Sequence, residues 1–139
     1  MHIDYFVMMA ELLCGWRDSR TGDPQGPAAM RRATERMRRT QPLALTLGLS
    51  LLARAHQQAG EPVPARAAVA EALTRTERHG QRYLLPELLR IDAELLALSG
   101  DRAGALAAAQ QAVDTADALK SPWLHDRAVA TLIALPAGG

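Results

Sequence analysis

A spacing of 40 residues recurs along this 139-residue chain. When residues 51–80 are aligned without a gap on residues 91–120, the turn Gly60-Glu61 falls on Gly100-Asp101. At a spacing of 38, the turn Gly22-Asp23 joins the same register. Small residues coincide around the turn: Ala53 with Ala93, Ala65 with Ala105, Ala67 with Ala107, Ala68 with Ala108, and Ala72 with Ala112. Such self-similarity is typical of stacked helical repeats, in which each unit buries its apolar face against the next.

The residues between the turns favour helix. The chain holds 27 alanines and 21 leucines, and only 4% of its residues are aromatic, which is a helix-forming composition. Prolines stand at or near several segment starts, where their missing N–H costs nothing, and Ser121 and Asp101 are candidate N-caps. This punctuation predicts seven helical segments, over residues 3–18, 27–40, 42–59, 62–80, 84–99, 102–120 and 122–135.

We therefore predict an all-α fold, a right-handed helical-repeat array of about seven antiparallel helices that forms one domain over residues 1–139. Close helix crossings need small side chains, and Gly15, Ala53 and Ala93 stand in the middle of the first helix of each unit. The predicted units cover residues 3–40, 42–80 and 84–120, followed by a terminal helix over 122–135.

The net charge of the chain indicates no particular class of partner. Sixteen basic and fifteen acidic residues give a net charge of +1, too small to drive binding to nucleic acid or to a membrane surface. Locally, residues 17–39 hold seven arginines and three acids, and the stripe from Arg31 to Arg39 is the densest part. This stripe is typical of a solvated outer helix face; the other interpretations are a phosphate site and a contact with the acidic end of another copy. No specific binding of nucleic acid is predicted.

Motifs for catalysis, metals and cofactors are missing from the sequence. It has no glycine-rich phosphate loop, no His-Glu-x-x-His and no Cys-x-x-Cys. The four histidines stand too far apart in sequence to suggest a metal site. We therefore predict a protein that is not an enzyme and that has no cofactor and no metal.

The single cysteine and the termini bear on location. Cys14 lies in an apolar run and is expected to be a buried thiol, and it has no second cysteine for a disulfide. The N-terminus lacks the pattern of a signal peptide, and no apolar stretch is long enough to span a membrane. These features predict a soluble cytoplasmic protein with no membrane partner.

The order of large and small residues within a unit matches a known motif. It reads Leu49, Leu52, Ala53, His56, Gly60, Ala65, Val69, Ala72, and again Leu89, Ala93, Leu96, Gly100, Ala105, Ala112. This pattern resembles the tetratricopeptide repeat. It departs from that family in its longer period, in its missing aromatic anchors and closing proline, and in Asp92, which stands where the family has a leucine.

A second resemblance covers nearly the whole chain. It is carried by the run from Glu87 to Leu96, by the turn Gly100-Asp101, and by the run from His125 to Leu132. These residues resemble the last repeats in the helical C-terminal region of multidomain bacterial regulators, including LuxR-type ATP-binding regulators and class III nucleotide cyclases. The resemblance implies an interaction or sensory module without chemistry of its own.

The first helix of each unit in a helical-repeat array usually lines the groove where ligands bind. We therefore predict a non-catalytic interaction or regulatory scaffold that binds a peptide or protein partner in this groove. Counting from the small residue of each first helix, the expected partner-binding residues are Trp16, Arg20, Arg54, Gln57, Gln58, Arg90 and Glu94.

A pocket between helices is the alternative, with Asp92, Glu94 and His56 as the polar groups of a small-molecule site or a minor enzyme. The spacing of Glu87 and Glu94 from Arg90 instead favours ion pairs on a solvated helix surface. His56 occupies a packing position of the repeat motif, which favours a structural, hydrogen-bonded histidine. A deep pocket holding His56 and Asp92 together would support the alternative.

The N-terminal helix is the expected open end of the array, because the end of a solenoid exposes the face that a neighbouring unit would cover. Its apolar residues are Ile3, Tyr5, Phe6, Val7, Met8 and Met9. Dimerisation of two copies through this helix is therefore a further prediction.

Overall fold

The computed structural model describes the backbone of residues 2–135 and the side chains of residues 5–135. This part of the chain is all-helical, as predicted, with seven α-helices, one 3-10 turn and no strand. The predicted bounds agree with the observed ones to within two residues. The helices are α1 (His2–Arg20), α2 (Gln25–Thr40), α3 (Pro42–Gln58), α4 (Pro62–His79), α5 (Leu85–Leu98), α6 (Arg102–Ala118) and α7 (Pro122–Ala134), and the 3-10 turn Arg82–Leu84 precedes α5. None of these helices is long and apolar enough to cross a membrane.

Cap chemistry fixes where α6 and α7 begin. The Asp101 carboxylate accepts a hydrogen bond from the Gly104 N–H at 2.9 Å, and the Ser121 hydroxyl accepts one from the Leu124 N–H at 3.4 Å. Each bond satisfies an N–H group that has no partner inside its helix. Both predicted N-caps are therefore confirmed.

Several helices end in the same turn, closed by a residue in the left-handed conformation. Gly100 has a φ of 88°, and the N–H of Asp101 after it bonds to the carbonyl of Leu96 at 3.0 Å. Gly60 ends α3 in the same way, with a φ of 75°. After α6 this position belongs to Lys120, with a φ of 54°, a conformation that costs a residue with a Cβ about 1–2 kcal/mol.

The chain divides into two compact units, and the division falls between Ala72 and Leu73, within α4. In the first unit, α1 packs against α2, and both pack against α3. The backbones of α1 and α2 touch: a Cβ on Gly15 would lie 2.9 Å from the carbonyl oxygen of Gly26, and a Cβ on Gly26 would lie 2.6 Å from that of Gly15. The predicted close crossing at Gly15 is confirmed.

In the second unit, α5 packs against α6 and α7, and α6 packs against α7. Alanines line the crossing of α5 with α6, where Ala93 packs with Ala108 and Ala109. A neighbouring cluster joins α5, α6 and α7; its buried residues are Leu89, Ala112, Val113 and Ala128. The predicted role of Ala93 at a close crossing is therefore confirmed.

The helices α4 and α6 bury matching positions when their sequences are aligned at the 40-residue spacing. The buried positions are Ala65, Ala68, Val69, Ala72 and Thr76 on α4, and Ala105, Ala108, Ala109, Ala112 and Ala116 on α6. Ala67 and Ala107, which also coincide in sequence, are both exposed. That match reflects the alanine-rich composition and not packing.

Cys14 is exposed, so the prediction of a buried thiol is wrong. The side of α1 that packs in the first unit carries Met8, Leu12, Gly15 and Ser19, all buried. Cys14 lies on the opposite side of the helix. An apolar run several residues long does not reveal which side of its helix faces the core.

The residues predicted to leave α1 open are exposed to different degrees. Phe6 and Val7 are exposed, Tyr5 and Met9 are half-buried, and Met8 is buried. The side chain of Ile3 lies outside the described residues. Part of the apolar surface of α1 therefore faces solvent.

Candidate functional site

Trp16 and Arg54, two of the predicted partner-binding residues, stack on one another in the first unit. The guanidinium carbon of Arg54 lies 4.8 Å from the centre of the Trp16 ring, which is a cation–π contact. Trp16 belongs to α1 and Arg54 to α3, and both residues are half-buried. The pair is therefore positioned by packing and is still open to solvent.

One side of α3 continues the surface around this stack. Leu47, Leu51, Arg54 and Gln58 follow one another at helical spacing, the leucines half-buried and Gln58 exposed. Five of the seven predicted residues thus lie on α1 and α3 of the first unit. The surface is named the α1–α3 face here; its members are Trp16, Arg20, Leu47, Leu51, Arg54, Gln57 and Gln58.

Arg90 and Glu94, the other two predicted residues, belong to an ion-pair cluster in the second unit. At its centre, Glu87 accepts hydrogen bonds from Arg90 Nη2 at 2.7 Å and Nε at 3.0 Å, and from Arg127 Nη2 at 2.8 Å. Arg90 also pairs with Glu94, and the hydroxyl of Thr131 lies 3.5 Å from Glu94 Oε1. These five residues, the Glu87 cluster, tie α5 to α7 and give Arg90 and Glu94 a structural role. Their binding of a partner stays a prediction.

The centre of the Glu87 cluster is largely removed from water, whereas Glu94 and Arg127 at its edge are half-buried. The side chains of Arg90 and Glu87 are only 11% and 10% exposed. Burial would raise the pKa of Glu87, but hydrogen bonds from Arg90 and Arg127 outweigh it and lower that pKa from 4.5 to about 2. Burial also opposes the charge of Arg90, and the hydrogen bond to Glu87 nevertheless raises the pKa of Arg90.

The predicted pairs of Arg90 with Glu87 and Glu94 are confirmed, but their predicted place on a solvated surface is wrong. α7 packs on α5 at this point and adds Arg127 as a second cation for Glu87. Helical spacing cannot reveal Arg127, because it lies on another helix. The repeat register could have revealed it, since Arg127 stands 40 residues after Glu87.

His56 is a structural residue. Its side chain is buried, and its Nδ1 lies 3.1 Å from Glu61 Oε1. The turn between α3 and α4 brings the two together, because the Glu61 N–H bonds to the His56 carbonyl at 2.8 Å. The prediction of a hydrogen-bonded structural histidine is confirmed.

His56 and Asp92 each line a cavity within their own unit. His56 lines a groove of about 280 Å³ bounded by α2, α3 and α4, together with Leu49 and Leu52. Asp92 lines a cavity of about 510 Å³ in the second unit, together with Leu89. A small-molecule site built on these residues stays a prediction.

The arginines of α2 are partly paired. Arg38 donates to Glu71 of α4 at 2.7 and 3.0 Å, and this contact raises the pKa of Arg38. Arg36 lies 3.4 Å from Glu11 of α1. Within the described part of the chain, the exposed arginines without an ion-pair partner on α2 are Arg31, Arg32 and Arg39.

Among residues 5–135, no group of three or more His, Cys, Asp or Glu side chains is arranged to hold a metal ion. No protein-family model matches the chain, and no curated protein or solved structure is significantly similar to it.

Proposed function

We propose that this chain is a non-catalytic interaction module that binds a segment of a protein partner on its α1–α3 face. The Trp16–Arg54 stack carries the proposal. Tryptophan and arginine are over-represented among the residues that dominate binding energy at interfaces. Packing has already restricted both side chains, so little conformational entropy is lost when a partner covers them.

The chemistry of the face defines the partner. Leu47 and Leu51 offer half-buried aliphatic surface, whereas the exposed side chains of Arg20 and Gln58 offer hydrogen-bond donors beside it. A guanidinium binds a carboxylate through two parallel hydrogen bonds. The fitting partner is therefore an amphipathic helical segment with apolar side chains followed by a carboxylate.

The same proposal assigns the chain to the tetratricopeptide-like, right-handed repeats and relates it to the C-terminal repeats of bacterial regulators, where it serves as a regulatory scaffold. The matched burial on α4 and α6 and the shared turns at Gly60 and Gly100 support this assignment. We also propose a cytoplasmic location, because a chain with one cysteine gains no disulfide from an oxidising compartment.

A displayed peptide library tests the proposal. Peptides are selected on the full chain, and the tightest one is titrated against wild type, Trp16→Ala and Arg54→Ala. Each substitution is expected to weaken binding about 30-fold, the effect of losing a residue worth about 2 kcal/mol. Arg54→Lys keeps the charge but loses the planar stack, and we expect an intermediate loss.

Arg66→Ala is the matched control. Arg66 is an exposed arginine of α4 in the first unit, outside the α1–α3 face, and its removal should leave peptide binding unchanged. Circular dichroism of every variant separates loss of binding from loss of fold. Selected peptides that bind Trp16→Ala and Arg54→Ala as tightly as wild type would contradict the proposal.

A further inference from the structure

We propose that copies of this chain associate head to tail, with the outer side of α1 in one copy against the outer side of α7 in the next. Each side presents a row of four exposed residues. The α1 outer row is Phe6, Ala10, Leu13 and Arg17, and the α7 outer row is Trp123, Asp126, Ala130 and Ile133.

Both rows expose large apolar side chains. Phe6 and Leu13 are 68% and 51% exposed, and Trp123 and Ile133 are 66% and 78% exposed. In each row the residues follow one another three or four positions apart, so they share one side of their helix. Aligned apolar side chains of this size mark a contact surface, whereas isolated ones are common on any protein.

The two rows complement each other when the helices run antiparallel. Each has an alanine near its middle, so Ala10 can meet Ala130 where the helix axes cross most closely. Phe6 then lies beside Ile133. At the other end, Arg17 reaches both the carboxylate of Asp126 and the ring of Trp123, where it can form an ion pair and a cation–π contact.

Charges agree with this arrangement. Arg17 is already paired with its neighbour Asp18 at 3.1 Å, but the Arg17 side chain is 72% exposed, and an exposed pair of this kind is worth little. Asp126 is exposed on α7. Arg17 lies at the C-terminal end of the α1 outer row, and Asp126 lies near the N-terminal end of the α7 outer row, as antiparallel pairing requires.

Trp123 is held in position before any partner arrives. The guanidinium carbon of Arg127 lies 5.0 Å from the centre of the Trp123 ring. Arg127 is itself fixed by Glu87, which accepts its Nη2 at 2.8 Å. An exposed aromatic side chain with restricted motion binds at a lower entropic cost than a free one.

A second copy is the occupant that satisfies both rows at once. The two rows differ from each other, so a single contact between two copies leaves the second row of each copy exposed. One helix against one helix buries less area than a standard interface of about 800 Å² per partner. The association should therefore be weak and should grow with protein concentration.

Cysteine cross-linking tests the arrangement. Cys14→Ser first removes the exposed natural thiol, and Ala10→Cys and Ala130→Cys are then made separately in that background. Each variant is oxidised alone and in an equal mixture, and disulfide-linked dimers are detected on non-reducing gels. We expect a dimer in the mixture and none with either variant alone, because Ala10 of one copy meets Ala130 of another.

Val63→Cys in the same background controls for disulfides that form when exposed thiols meet at random. Val63 is exposed on α4 outside both rows, and its mixture with the Ala10→Cys variant should give no dimer. A dimer from Ala10→Cys alone would show α1 paired with α1, and a dimer from Ala130→Cys alone would show α7 paired with α7. Either result, or no dimer in the mixture, overturns the proposal.

Sedimentation of charge-reversed variants gives a second test without new thiols. Arg17→Asp and Asp126→Arg each place like charges across the contact, so each variant alone should stay monomeric at concentrations where wild type associates. An equal mixture should associate again, because every contact between the two different variants pairs a guanidinium with a carboxylate. Failure of the mixture to recover would contradict head-to-tail pairing.

Discussion

Arg127 of α7 donates two hydrogen bonds to Glu87 of α5, with Nη2–Oε1 at 2.8 Å and Nε–Oε2 at 3.3 Å. The two residues are 40 positions apart, the spacing at which the turns at Gly60 and Gly100 recur. Trp16 and Arg54, 38 positions apart, meet in the same way in the first unit. Residues 38 or 40 positions apart thus meet across two helices in each unit, as an ion pair between α5 and α7 and as a cation–π stack between α1 and α3.

Removing the carboxylate of Glu87 should destabilise the protein strongly. Glu87→Ala removes the carboxylate that Arg127 binds and leaves Arg90 with Glu94 alone, in a poorly hydrated site. Loss of one partner from such a pair costs about 3 kcal/mol. The free energy of unfolding in urea measures this loss. Glu77→Ala, at an exposed position of α4, is the control and should change stability by less than about 0.5 kcal/mol. Equal effects of the two substitutions would contradict the structural role of Glu87.

The contribution of Glu87 should depend on pH. Its pKa in the folded protein is about 2, below its ordinary value of 4.5, so the unfolded chain takes up the proton first as the pH falls. The stabilisation is therefore complete above pH 4.5 and lost as the pH falls from 4.5 to about 2. We expect wild type to exceed Glu87→Gln by about 3 kcal/mol at neutral pH, and this difference should shrink in that window. If the difference in the free energy of unfolding between wild type and Glu87→Gln stayed constant down to pH 2, the ionised carboxylate of Glu87 would not be its cause.

Lys120→Gly should stabilise the protein. Lys120 has a φ of 54°, and glycine adopts this conformation without a Cβ penalty. The substitution should therefore raise the free energy of unfolding by about 1 kcal/mol. Gly100→Ala is the converse change, because Gly100 has a φ of 88° and open space around it, so the cost is one of backbone conformation alone. Thermal unfolding should show a raised midpoint for the first and a lowered midpoint for the second. Shifts of the same sign would contradict this assignment of the turns.

The repeated alanines should tolerate larger side chains only where they are exposed. Ala112 is fully buried between α5, α6 and α7, and Ala112→Leu should cost about 1–3 kcal/mol through overpacking. Ala107 lies on the exposed side of the same helix, and Ala107→Leu should be nearly neutral. Chemical denaturation gives the free energy of unfolding of both variants. Similar losses at the two positions would contradict the conclusion that Ala112 is packed in the core and Ala107 is not.

The helices could be predicted from the sequence because their boundaries are set by local chemistry. Asp101 and Ser121 cap helices with their own side chains, and Gly60 and Gly100 close helices because of their own conformational freedom. The crossings at Gly15 and Ala93 were also predictable, since only small residues permit such close approach.

The sites were harder to predict because they depend on which side of a helix meets a neighbour. Cys14 lies in an apolar run, but the packed side of α1 excludes it. Local spacing correctly predicts the pairing of Arg90 with its neighbours on α5, but it does not describe α7, which packs over Arg90. The sequence predicts Trp16 and Arg54 as binding residues, but their contact with each other joins two helices, and spacing along one helix does not describe it.

Chemical-shift mapping of a selected peptide on the isotope-labelled chain tests the proposed function most directly. We predict that the largest perturbations fall on the Trp16 indole N–H, the Arg54 Nε–H and the side-chain amides of Gln57 and Gln58. Backbone resonances of α6 should stay in place. Perturbations concentrated on the α2 arginines or on α5 and α7, with the α1–α3 face unchanged, would contradict the proposed function.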